Sequence, residues 1–202
     1  MSEAKTLLQM AGADPKPAPL GDCVLVMIDC QREYLDGGLK LHRVEEALAE
    51  GALLLALARD RGVPVVHIQH NGNPGGLFDP EGPKHTLCDQ VKPLDGEMVV
   101  TKTKPNAFAG TKLEEVLKPF ARKNLIVAGL MTHMCVSSTV RSALDHNYGC
   151  TVVAGACATR DLPDSLGGDG VIKAADLHRA ALAGLSDRFA VIVPDALSLE
   201  GN

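Results

Sequence analysis

The segment Cys23-Val24-Leu25-Val26-Met27-Ile28-Asp29-Cys30-Gln31 decides how the rest of the chain is read. It is an unbroken apolar run of strand length that stops at an acid. A strand with one wet face alternates apolar and polar residues. A run without alternation is typical of a parallel strand buried between two helical layers. Reading outward, Val44 to Arg61 is rich in Ala and Leu and reads as a helix, closed by Arg59, Arg61 and then Gly62. Val63 to Ile68 is a second strand. Residues 71–83 hold four glycines and three prolines and read as a loop. Glu97 to Thr101 is a third strand, Thr111 to Phe120 a helix and Leu125 to Ala128 a fourth strand. Met134 to Asn147 is a helix, Thr151 to Ala154 a fifth strand, Ala174 to Arg188 a helix and Ala190 to Val193 a last strand. Strands alternating with helices predict an α/β domain with a six-stranded, mostly parallel sheet. The expected strand order is 3-2-1-4-5-6, with right-handed crossovers placing helices on both faces. Residues 1–20 form an arm whose three prolines, Pro15, Pro17 and Pro19, block helix and central strand. Residues 21–202 form the domain.

Composition narrows the function. The 202 residues carry 20 basic and 25 acidic side chains, a net charge of −5. That excludes the basic footprint of a nucleic-acid binder and the polybasic patch of a membrane-surface protein. No apolar run approaches the ~18–20 residues of a spanning helix. Residues 1–12 do not read as a secretory signal. The six cysteines form no C-x-x-C pair, and reduced thiols in a cytoplasm are expected.

In an open parallel sheet, ligands bind beyond the carboxyl ends of the strands. Three such ends carry chemistry here. Asp29 closes the first strand, where partial desolvation raises a carboxylate's pKa and makes it a usable base. Lys102 follows the third strand, placed to hold Asp29 ionised or to lower a thiol's pKa. Cys135 follows the fourth strand and opens a helix, whose N-terminal N–H groups favour a thiolate and an oxyanion. In the expected order, strand three lies ~9–10 Å from strand one, a gap that the long lysine side chain must cross. Arg160, after strand five, is a candidate for gripping a substrate carboxylate, or else a partner of Asp161 or Asp164.

These residues resemble the isochorismatase-like cysteine hydrolases. The likeness runs over residues 22–195. It is carried by Val26-Met27-Ile28-Asp29-Cys30-Gln31, by Val99-Val100-Thr101-Lys102 with Asn106-Ala107-Phe108, and by Gly129-Leu130-Met131-Thr132-His133-Met134-Cys135-Val136. The resemblance implies a three-layer, Rossmann-like α/β/α sandwich and an Asp29–Lys102–Cys135 triad. It implies a cis peptide at Leu130–Met131, an oxyanion hole from the Met131 and Cys135 N–H groups, and a homo-oligomer. Isochorismatases proper, which cleave a vinyl ether, typically lack the cysteine, so its presence favours hydrolysis at a carbonyl. Nicotinamidases of the family carry Asp-x-His after strand two. Here Gln69-His70-Asn71 stands instead, and no catalytic metal or other cofactor is expected.

The resulting expectation is an amidase-type hydrolase that acts on a small amide, ureido or related C–N compound. Gln31, Tyr34, Phe78, Phe108, Thr132, His133 and Arg160 are the candidate substrate-binding residues. Phe78 and Phe108 serve equally well as pins of their loops to the core. Two other classes stay open. A redox sensor or non-catalytic member would keep a reactive Cys135 without turnover, and a vinyl-ether hydrolase would use Asp29 alone.

Overall fold

A computed structural model describes residues 4–167 and 170–200. Six strands form one parallel sheet: β1 (Cys23–Ile28), β2 (Val65–His70), β3 (Met98–Lys102), β4 (Asn124–Leu130), β5 (Gly149–Ala158) and β8 (Val191–Val193). Their order, β3-β2-β1-β4-β5-β8, is the expected 3-2-1-4-5-6 arrangement. A small antiparallel pair, β6 (Leu162–Pro163) and β7 (Val171–Ile172), stands apart from the sheet and was not anticipated. The helices are α1 (Leu7–Met10), α2 (Arg32–Leu35), α3 (Val44–Asp60), α4 (Leu113–Leu117), α5 (Ser137–Asp145) and α6 (Ala174–Ser186).

All six residues of β1 are buried. Successive side chains point to opposite faces. Cys23, Leu25 and Met27 therefore join the core under α3, with Leu48, Leu54 and Leu55. Val24, Val26 and Ile28 join the other core, with Leu113, Val140 and Leu185 from α4, α5 and α6. At ~1.5–3 kcal/mol per buried aliphatic side chain, β1 is anchored from both sides, which fixes where Asp29 stands. Gly129 is required where β4 passes β1. Its φ is 133°, and a Cβ there would lie 2.0 Å from the Ile28 carbonyl oxygen.

Several boundaries differ from the sequence reading, for local reasons. β2 starts at Val65 because the Val63 N–H caps α3 by donating to Ala58 O. β3 is shifted by one residue and ends on Lys102 itself, while Glu97 is drawn into contacts with Arg59 and His67. The helix expected over 111–120 is α4 plus a tight turn at Lys118–Phe120, where Pro119 has no N–H to continue it. β5 runs to Ala158, past its apolar stretch, because a register shift lets Cys157 and Ala158 pair with Gly129 and Leu130. The arm lies on its own domain. The Leu7 and Leu8 N–H groups donate to Asp187 at the end of α6, and Leu20 is buried in the core.

Candidate active site

Asp29 leaves β1 with a left-handed backbone, φ 51°, and is fully buried. Such a conformation is uncommon outside glycine, although aspartate tolerates it better than most, and here it turns the chain away at the strand end. Lys102 comes from β3, two strands away. Its side chain passes over the end of β2, and Nζ lies 2.6 Å from Asp29 Oδ2, both side chains being fully buried. The same ammonium donates to Cys135 Sγ at 3.3 Å and to His70 Nδ1 at 3.1 Å. The strand-to-strand gap is thus bridged by one ion pair and two hydrogen bonds of the ammonium.

Cys135 follows the cis peptide Leu130–Met131, as the resemblance implied. The expected helix over 134–147 begins earlier and in a wider form. Thr132–Val136 is a π-helical turn that leads into α5. The Met131 carbonyl accepts the N–H groups of Met134 and Val136. Asp29 and Cys135 stand close enough across the site to perturb each other's proton affinity, although neither Asp29 oxygen has a hydrogen bond of good geometry among the described residues. Burial is the largest influence on both groups. It raises the Asp29 carboxyl to about 6 against the pull of Lys102. It also pushes the Cys135 thiol up to about 12, helped by the Asp29 charge and opposed by Lys102. The expectation of a depressed thiol pKa is thereby corrected. Helix-end stabilisation is outweighed by desolvation beside a carboxylate, and the resting thiol keeps its proton.

A family model described as the isochorismatase domain matches residues 23–196. The chain belongs to the isochorismatase family. The crystal structure of an isochorismatase from Pseudomonas putida is similar to this chain with a TM-score of 0.91 and 45% identity, covering 97% of this chain and 99% of that one. A secreted isochorismatase effector from Verticillium dahliae is 35% identical, over 91% of this chain and 94% of its own length. A maleamate amidohydrolase from Pseudomonas putida is 31% identical, over 72% of this chain and 73% of its own.

Within this isochorismatase-family site, the candidate binding residues separate into two groups. Tyr34 is buried, and its phenol is raised mainly by burial, within electrostatic reach of Cys135, Asp29 and Arg160. Phe78 packs edge-on to both Tyr34 and His70, with centroids 4.9 and 5.3 Å apart. Among the described residues, Arg160 makes no ion pair with the carboxylate of Asp161 or Asp164. Asp161 receives Lys173 and the Ala174 N–H, and Asp164 receives the Leu166 N–H. One Arg160 nitrogen reaches the Asp161 carbonyl, while Nε is buried without a partner among the described residues. His133 Nε2 is in the same position, and its Nδ1 meets Thr159 Oγ1. Burial and then the Arg160 charge lower the His133 pKa, which keeps its ring neutral.

The other candidates are committed to the protein. Both atoms of the Gln31 amide are spent on backbone groups of His70 and His85. The Thr132 hydroxyl bonds Ala158 O and His178 Nδ1. The Phe108 ring stacks on His146, just past the end of α5. That is ~15 Å along the helix from Cys135, so the ring pins its loop and lines no wall of the site. A cavity of about 340 Å³ lies behind the Thr132–His178 contact, bordered by His42, Arg43, Cys157, His178 and Arg179, and no triad residue lines it.

Sequence reasoning missed His70. Its only signal was its place at the exit of β2, on the strand between Lys102 and Asp29. The two histidines of β2 have different partners. His67 pairs with Glu97 at 3.0 Å, and His70 receives Lys102. Among the described residues, no group of three or more His, Cys, Asp or Glu side chains is placed to hold a metal ion. No helix there is long and apolar enough to cross a membrane.

Proposed function

We propose that this family member is an amidase-type cysteine hydrolase acting on a carbon–nitrogen bond of a small carboxylate-bearing amide or ureido compound. The observation that carries the reading is the buried contact set of Asp29, Lys102 and Cys135. Similarity to an amidohydrolase supports the reaction class.

The thiol is protonated at rest, so its proton leaves in step with carbon–sulfur bond formation. Cys135 Sγ attacks the carbonyl carbon as Asp29 takes the proton. Negative charge moves from sulfur to the carbonyl oxygen, where the Met131 and Cys135 N–H groups receive it. The tetrahedral intermediate collapses, the C–N bond breaks, and Asp29 returns its proton to the leaving nitrogen. A water molecule, deprotonated by Asp29, then cleaves the thioester and restores the thiol. The nearby Lys102 pulls the Asp29 pKa down and so favours the carboxylate. Arg160, with no acidic partner among the described residues, supplies a bidentate cation for the substrate carboxylate, and Tyr34 and His133 flank it.

A panel of amides, ureas and carbamates, with and without a carboxylate, screened for ammonia release, tests the reading. Turnover should vanish in Cys135→Ala. A vinyl-ether activity that survives Cys135→Ala would replace the proposal. The six free, buried thiols suit a reducing compartment, and the homo-oligomer that the family resemblance implies is part of the same proposal.

A further inference from the structure

His70 ends β2, where the sheet register pairs it with Lys102 on β3. The lysine must cross this strand to reach Asp29. Its stem is flexible, and its ammonium is buried with no solvent to satisfy it. An ammonium has three N–H donors and no acceptor, so its place is set by what accepts from it. Asp29 Oδ2 pairs with it electrostatically at 2.6 Å, and Cys135 Sγ accepts from it at 3.3 Å. His70 Nδ1 is the other hydrogen-bond acceptor, at 3.1 Å.

We propose that His70 is a positioning residue, its ring Nδ1 holding the Lys102 ammonium between Asp29 and Cys135. An ammonium only donates, so Nδ1 must carry a lone pair and the ring proton sits on Nε2. Burial lowers the His70 pKa to about 4, with the charges of Lys102 and His85 adding to it, so the ring stays neutral at physiological pH. Lys102 on β3 and His85 on the loop beyond β2 are the titratable groups that act on it. The His70 backbone is itself held by Gln31, and its ring by Phe78. The His70 N–H donates to Gln31 Oε1 at 2.8 Å, its carbonyl accepts from Gln31 Nε2 at 3.0 Å, and Phe78 stands edge-on to it. Gln31 thus acts on the site through His70, which accounts for an amide with nothing left for substrate. The chain of control runs Gln31, His70, Lys102, and then the Asp29–Cys135 pair.

The inference rests on Cys135 being the nucleophile, so the test reads the thiol directly as well as turnover. Alkylation of Cys135 by iodoacetamide, followed by peptide mass spectrometry across a pH series, measures its thiolate fraction. Lys102 favours the thiolate, so an ammonium free to drift raises the thiol pKa. One unit of rise slows alkylation ~10-fold at fixed pH. His70→Leu is expected to slow Cys135 labelling by at least ~10-fold, and His70→Ala serves if the leucine variant does not fold. His70→Asn, whose Oδ1 can stand where Nδ1 stood, is expected to stay within ~3-fold of the natural protein. The acid limb of kcat/KM should move to higher pH in His70→Leu and hold in His70→Asn, because Lys102 keeps the Asp29 pKa down. Equal labelling rates in His70→Leu and the natural protein overturn the proposal. So does a His70→Asn rate as slow as that of His70→Leu. If the labelling pattern holds while no amide is turned over, the positioning role stands and only the proposed reaction fails.

Discussion

Replacing Lys102 by methionine removes the cation that pairs with Asp29 while keeping the length of the stem. In the natural protein Asp29 has a pKa of about 6, so at pH 5 it is mostly protonated and by pH 8 fully ionised. Without Lys102 the carboxyl keeps its burial cost and loses the charge that opposed it, so its folded pKa climbs further. Between pH 6 and that higher value, the variant binds one proton in the folded state and none in the unfolded state, where the pKa is ~3.9. Stability then falls with rising pH by ~1.4 kcal/mol per unit, relative to a natural protein that has no such slope there. At pH 5 both proteins hold a neutral Asp29, and the difference is a lost hydrogen bond of ~1 kcal/mol. At pH 8, two units further, it reaches ~3–4 kcal/mol, within the ~3–5 expected when one partner of a buried pair is removed. Urea unfolding followed by circular dichroism at pH 5, 6, 7 and 8 measures this directly. Lys104→Met, at an exposed position two residues on, is the control and should change stability by less than ~0.5 kcal/mol at every pH. A stability loss in Lys102→Met that is flat across these pH values would refute the buried-pair reasoning. A larger effect at Lys104 would show that the register of β3 is wrong.

Asp29→Asn should fold and should lower kcat by at least ~10²-fold, the lower range for loss of a general base, as measured by ammonia release. Because Asp29 acts ionised, kcat/KM of the natural protein should fall on the acid side with a midpoint near 6, and a profile flat from pH 5 to 8 would count against it as the base. Arg160→Gln should raise KM for carboxylate-bearing amides by at least ~10-fold while leaving the corresponding neutral amides little changed, the signature of a lost charge-assisted contact. Turnover should survive exhaustive dialysis against a chelator, and loss that zinc, iron or manganese restores would contradict the absence of a metal step. Light scattering at micromolar concentration should give a mass above the 21.3 kDa of one chain.

The fold was legible because its cause is local and repeated. β1 is apolar at every position, and only a strand covered on both faces can be so. The alternation of such runs with helices of Ala and Leu then implied the parallel sheet. The meeting of Asp29, Lys102 and Cys135 was legible for a related reason. In this topology, polar residues that follow buried strands collect on one rim, so Asp29, Lys102 and Cys135 could be picked out by position. What those residues do to one another was not legible. The thiol pKa is decided by how much water surrounds Cys135 and how close Asp29 stands, and neither is a property of the sequence near residue 135. His70 gave no signal beyond its place at a strand exit, because its value as an acceptor exists only in register with Lys102, 32 positions away in the chain. For Phe108 and Gln31 the residue type left the role open. Their residue types suit a pocket, but the packing of a loop on α5 and the pairing of Gln31 with β2 had already used them. The sequence by itself determined which residues would be buried and which strand ends would carry chemistry, since hydrophobic patterning acts along the chain. Protonation and partner follow from distances between strands, which the fold alone sets.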